Sequence, residues 1–203
     1  MLPNPFSRRD EPHLLVVRMV GAKMGDRLVQ IGCAHGGRLA AVAAKVGLSG
    51  RAVAVVPDEE SATRARKGAA AAGVLVDIET AQPARLPLED DSFDLAVVDD
   101  TAGLLGFMRA EGRVAAVREL RRILRHGGRA MIIGTAPRGG IGALLSRAQA
   151  GPPFTASGDA NRALQADGFV SVRTLAEREG LVFVEGIKPR SQLSTPEDTG
   201  DTE

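Results

Sequence analysis

The stretch VQIGCAHGGRLAAVA, residues 29–43, runs from a short apolar strand through a glycine-rich turn into an alanine-rich helix. A turn of this kind aims backbone N–H groups and a helix N-terminus at whatever lies beyond the strand end. Small residues in it let a ligand come close to the backbone. Many folds use such turns without a ligand, so the flanking sequence has to decide what this one is for.

Working outward, strand-like apolar runs occur at DRLVQIG, RAVAVV, VLVDIE, FDLAVVD and GRAMIIG. Helical patterns separate them at 37–46, 58–72 and 109–125, with a shorter or irregular one near 83–86. Strands that are apolar along their whole length and alternate with helices indicate a parallel sheet covered on both faces. Right-handed crossovers then give a single doubly wound, Rossmann-like α/β sheet. Upstream, EPHLLVVRMVGA reads as a helix, with Asp10 as its cap and Pro12 in its first turn. The last third departs from the rhythm. A short helix is expected over 141–150, and DANRALQADGF reads as another, stopped by Gly168. VSVRTLAE and LVFVEGIK then form an antiparallel hairpin at one edge. No linker divides the chain, so 1–188 is expected to be one domain and the polar stretch 189–203 a disordered tail.

The 203 residues leave room for one sizeable core, and 44% apolar with 25% charged residues is the balance of a globular protein. A formal net charge of +1 favours neither nucleic acid nor a membrane surface. With six Phe and no Trp or Tyr, platforms for stacking single-stranded bases are scarce, so nucleic acid is not expected as a partner. Cys33 is the only cysteine, which excludes an internal disulfide. The three histidines, His13, His35 and His126, are too scattered to suggest a metal-ligand set. No apolar run approaches the roughly 20 residues of a membrane span, and MLPNPFSRRDEP lacks the apolar centre of a signal peptide. A cytoplasmic location is therefore expected.

MVGAKMGDRLVQIGCAHGG, GRAVAVVPDEESATRARKGAAAAG, ARLPLEDDSFDLAVVD, RELRRILRHGGRAMIIG and ALQADGFVSVRTLAE follow one another at regular intervals. Together they resemble the class I S-adenosylmethionine-dependent methyltransferases, of the small type-11 kind. The resemblance spans about 14–188, and LPLEDDSFDLAVVD and LRRILRHGGR are its most specific parts. It implies a seven-stranded sheet with the last strand antiparallel, S-adenosylmethionine as cofactor and methyl transfer to a small-molecule acceptor. The acceptor pocket would come from the segment 138–157 and the N-terminal helix.

The resemblance also implies where the cofactor would be held, and there the chain departs from the family. An acid near the end of the loop strand is replaced by Gln30, and the family's Gly-x-Gly-x-Gly becomes Gly32-Cys33-Ala34-His35-Gly36. The acid that holds both ribose hydroxyls at the end of the second strand falls on Val56, and the Asp that faces the adenine amino group falls on Gln82. Gln30 and Gln82 keep an acceptor oxygen; Val56 offers a sugar nothing. Each hydrogen bond to a charged acceptor is worth about 1.5–3 kcal/mol, so the loss amounts to about tenfold in affinity or more. Restoring an acid at 56 is therefore expected to tighten binding. Asp58, just past Pro57, could supply a substitute carboxylate, although its plainer role is to cap the next helix, with Glu59 and Glu60 in the first turn.

For catalysis, Asp99 and Asp100 end the fourth strand at the sheet's carboxyl edge, where they could orient or deprotonate an acceptor. His35 in the loop could meet a carboxylate or take a proton near neutral pH. In RVAAVRELRRILRHGG, Val114, Val117, Leu120 and Leu124 form a core-facing stripe. Arg113, Arg118, Arg121, Arg122 and Arg125 fill much of the rest, a face that would suit a protein partner along 109–125. Two functions are open at this point: a methyltransferase with a degraded cofactor site, or a methyltransferase fold that has lost catalysis and serves as a binding or assembly subunit. A dinucleotide site, spelt Gly-x-Ala-x-x-Gly through Gly32, Ala34 and Gly37, is a third and weaker option.

Overall fold

The computed structural model describes residues 13–136 and 154–191. In chain order the elements are α1 (Leu14–Val20), β1 (Arg27–Ile31), α2 (Gly36–Val46), β2 (Arg51–Val56), α3 (Glu59–Ala72), β3 (Asp77–Thr80) and β4 (Phe93–Asp99). They continue with α4 (Ala110–Ile123), β5 (Leu124–Thr135), α5 (Asp159–Ala166), β6 (Val170–Arg178) and β7 (Leu181–Ile187). All seven strands join one sheet in the order β3-β2-β1-β4-β5-β7-β6. β1 to β5 pair in parallel, and β7 runs antiparallel to both β5 and β6. The expected doubly wound sheet and terminal hairpin are both present, with β7 inserted between β5 and the edge strand β6.

The central strands carry unbroken apolar runs because both faces are covered. On one face Val29, Ile31, Val53, Val55, Ala96, Val98 and Ile132 pack with Val117, Leu120 and Ile123 of α4 and Leu164 of α5. On the other, Leu28, Leu95, Val97, Met131 and Phe183 meet Val16 and Val20 of α1 and Val42 and Val46 of α2. α1 is fastened at its C-terminal end by Arg129, whose guanidinium donates to the Val20 carbonyl. Arg129 also bridges at 3.2 Å to Glu185, a buried carboxylate that Arg173 meets from the edge strand.

α2 and α3 cross at glycine. A Cβ on Gly68 would lie 2.6 Å from Gly36 Cα, and one on Gly36 would lie 3.2 Å from Gly68 Cα. The backbones touch, which brings the N-terminus of α3 close to the loop after β1.

Three expectations need correction. The segment at 83–86 is a turn and not a helix, as Pro83 and Pro87 on either side withhold backbone donors. α4 ends at Ile123, and Leu124 opens β5 with extended backbone (ψ 135°), pairing with Phe93. The buried stripe of α4 is accordingly Ala116, Val117, Leu120 and Ile123, whereas Val114 is 52% exposed. The proposed cap at Asp10 and Pro12, the helix over 141–150, most of the 138–157 segment and the tail from 192 lie outside the described residues.

Gly68→Ala is expected to force α2 from α3 and destabilise the fold by about 1–3 kcal/mol, the usual cost of overpacking. Urea unfolding measures it, and an unchanged midpoint would remove the glycine contact as a constraint.

Candidate functional site

The strand order reverses between β1 and β4: the chain leaves β1 outward to β2 and β3, then returns to lay β4 on the other side of β1. Loops at the carboxyl ends of those strands diverge there and leave a crevice. It is a cleft of about 310 Å³. Gly32, Cys33 and Ala34 come from the loop after β1, Pro57 and Asp58 from the exit of β2, and Ser61 and Arg64 from α3. Asp99, Ala102, Gly103, Leu104 and Phe107 close it from the β4 side. A hollow of about 280 Å³ at the opposite end of β2 has Arg51 and Asp77 as its only charged lining residues, and these pair with each other at 3.0 Å.

Gly32 has φ +80°, a conformation that favours glycine, and its N–H reaches the Val55 carbonyl at 2.8 Å. The buried Gln30 turns its amide onto the same loop, donating to the Gly32 carbonyl at 3.0 Å. Arg64 of α3 grips the neighbouring Cys33 carbonyl at 2.9 Å. Burial, with the Asp99 carboxylate adding to it, pushes the Cys33 thiol up to about 11. It is a packed side chain and not a nucleophile.

Asp99 is 2% exposed and heavily engaged. Its Oδ2 accepts from Ala34 N–H at 3.1 Å. Its Oδ1 accepts from Arg38 at 3.0 Å, from the Thr101 hydroxyl at 2.6 Å and from Thr101 N–H at 3.3 Å. Arg38 also donates to Thr101 Oγ1 at 2.9 Å, and its buried Nε has no partner. Asp100 is 5% exposed and organises the next turn, accepting from Leu105 N–H at 2.6 Å and Gly106 N–H at 3.2 Å. Burial raises its pKa, while those two N–H groups pull the other way. Both aspartates thus hold the backbone in place, a role sequence spacing could not distinguish from catalysis.

The remaining candidates are dispersed. Gly36 is spent on the helix contact with α3. Val56 is fully buried among Cys33, Leu39, Ala54, Ala62 and Ala65 and does not line the cleft, so an acid placed there would sit in the core. The expectation that restoring an acid at 56 tightens binding is withdrawn on that ground. Gln82 is exposed beside the β2 exit, its amide 3.5 Å from the Pro57 carbonyl. His35 is exposed outside the cleft lining, its ring edge-on to His13 with centroids 4.8 Å apart. Asp58 stands on the cleft. Its Oδ1 caps α3 through Ser61 N–H at 2.7 Å, and that bond first of all holds its carboxyl below the usual range.

Arg38, Arg64, Thr101, Leu104 and Phe107 escaped the sequence reading. One signal was available for Arg38: a cation in the first turn of a helix opposes the dipole and calls for a buried acid as partner. Of the arginines along 109–125, Arg118, Arg121 and Arg125 stay exposed, and several have partners within the chain. Arg122 binds Glu119 and Asp90, Arg125 pairs with Asp94, Arg118 lies 3.8 Å from Asp167, and Arg113 lies over Phe154.

A sequence model described as a methyltransferase domain matches residues 28–128, the segment that builds the cleft. Among solved structures, a SAM-dependent methyltransferase from Aquifex aeolicus superposes with a TM-score of 0.68 at 18% identity, over 87% of this chain and 89% of that one. The [4+2]-cyclase SpnF gives 0.66 at 18% identity, over 88% and 80%. A chain from a complex containing the Haloferax volcanii Trm112 methyltransferase activator gives 0.61 at 16% identity, over 87% and 88%. Comparison with curated protein sequences finds no match. The chain thus has the fold of the class I S-adenosylmethionine-dependent methyltransferases. Among the described residues, no helix is long and apolar enough to cross a membrane.

His13 supplies a pH test. Burial, then the charges of His35 and Arg38, lowers its pKa below 6.5, so the unfolded chain binds protons more readily there. The stability it contributes is complete above pH 6.5 and is lost as the pH falls toward the lower folded value. Thermal melts between pH 7.5 and 5 should fall more steeply for the native protein than for His13→Gln. Parallel curves would contradict the assignment.

Proposed function

We propose that the cleft binds an S-adenosyl nucleoside and that the protein is a methyltransferase acting on a small molecule, with a weakened hold on its cofactor. The observation that carries this reading is Asp58. One of its carboxylate oxygens caps α3, and the residue lines the cleft where the chain leaves β2, the side on which the family resemblance puts the sugar. Asp58 thus takes over as an acceptor for ribose hydroxyls, and its lowered pKa keeps it ionised at neutral pH.

The fit to the cofactor is uneven. The sugar side has a carboxylate, Ser61 and an open wall at Pro57. The amino-acid side has an amide at Gln30 that faces its own loop, a loop N–H already bonded to Asp99, and Leu104 lying on Gly32. When bound, the cofactor would supply an activated methyl group. The chain's part is to hold donor and acceptor in line, a matter of proximity and not of a strong base.

The second reading, a methyltransferase fold working as a binding subunit, is favoured by the saturation of Asp99. The candidate with the best position for proton transfer already accepts four hydrogen bonds from its own chain.

Calorimetric titration with S-adenosylmethionine separates the two. Binding in the micromolar range supports the enzyme, and absence of heat at about 1 mM leaves only the second reading. Asp58→Asn keeps the helix cap through its amide oxygen but turns an NH2 toward the sugar side. It is expected to weaken binding about tenfold with the melting temperature unchanged. Equal affinity in that variant would remove Asp58 as the sugar contact.

A further inference from the structure

We infer that the chain supplies its own occupant for the amino-acid half of this cleft, so that an amino-acid tail adds almost nothing to the affinity of the folded protein for a nucleoside. The inference rests on the S-adenosyl reading above and concerns what that site admits.

Three observations converge on the β1 and β4 side. The Ala34 N–H, which the glycine-rich loop turns toward the cleft, is taken by Asp99 Oδ2 at 3.1 Å. The open face of Gly32, where the missing side chain would let a ligand touch the backbone, is covered: a Cβ built there would lie 2.7 Å from Leu104 Cδ2 and 3.1 Å from the Asp99 carbonyl. Asp99 Oδ1 is consumed by Arg38 and Thr101, so no lone pair of that oxygen is left for a ligand ammonium. A carboxylate on a loop N–H, paired to a guanidinium, is the same set of charges an amino-acid tail would bring. Here the charges are internal.

The opposite half is lined by Pro57, Asp58, Ser61 and Arg64, with no ion pair closing Asp58 among the described residues. The cleft therefore offers a polar sugar side and a closed tail side.

The closure belongs to the turn at 101–107. Asp100 holds its far end through Leu105 and Gly106 N–H, and Gly103 at φ +78° lets the chain reverse under Phe107. Phe107 is 84% exposed, and Leu104 is the residue of the turn that lies nearest the Cβ position of Gly32. Moving Leu104 uncovers Gly32 without disturbing Asp100. Entry of a tail also requires Ala34 N–H to exchange Asp99 for the ligand, at the cost of a charge-assisted bond. A ligand without a tail requires neither change.

The test compares 5′-methylthioadenosine with S-adenosylhomocysteine by calorimetry, on the native chain and on Leu104→Ala. The native protein is expected to bind the two within about threefold, because the tail finds no place. Leu104→Ala should tighten S-adenosylhomocysteine by about tenfold while leaving methylthioadenosine within about twofold. A native preference of about a hundredfold for S-adenosylhomocysteine overturns the inference, and does so whether or not the variant folds. Equal effects of Leu104→Ala on both ligands overturn it too. If neither ligand binds the native chain, the S-adenosyl reading and this inference fall together. If the tailed ligand binds strongly and preferentially, only this inference falls.

Discussion

A carboxylate with almost no contact with water holds the site together. Asp99 ends β4 at the point where the strand order reverses, and its bonds reach the β1 loop, the first turn of α2 and the turn that follows β4. Leaving such a charge unpaired would cost several kcal/mol, so each of its partners is fixed by the need to satisfy it. Arg38 sits against the helix dipole for that reason, and Ala34 and Thr101 present their N–H groups inward for the same one. The glycine contact between α2 and α3 completes the frame by bringing Asp58 and Arg64 to the other wall.

The sheet was legible because burial on both faces leaves little choice of residue. RAVAVV and FDLAVVD can only be inner strands, and the spacing between them requires helical crossovers. The hairpin was equally plain, with Gly180 at φ +73° turning β6 into β7. What escaped were places where one local rule overrode another. Leu124 continues the helical period of α4, yet its backbone goes extended to pair with Phe93, and a period cannot reveal a strand partner thirty-odd residues away. The turn after β3 keeps a helical spacing of apolar residues but has two prolines in it.

The site was read less well than the frame. Asp58 was found because capping is a local matter, visible in the three residues that follow it. Asp99 and Asp100 were found by position but not by role, since two of the four bonds that saturate Asp99 come from residues 65 and 61 positions away. Val56 shows the reverse failure. The family pattern fixes its place in the sequence, whereas the packing of α2 and α3 over β2 decides that its side chain meets Leu39 and Ala62. Arg38 and Leu104 were missed because neither belongs to a motif; each matters through what it covers or neutralises.

Cys33 adds a practical consequence. It is the chain's sole thiol, it is buried in the glycine-rich loop, and its high pKa leaves almost no thiolate at neutral pH. An alkylating reagent therefore reacts only during moments when that loop lifts away from the sheet. The speed of its labelling is a clock for those openings, uncontaminated by signal from anywhere else in the protein.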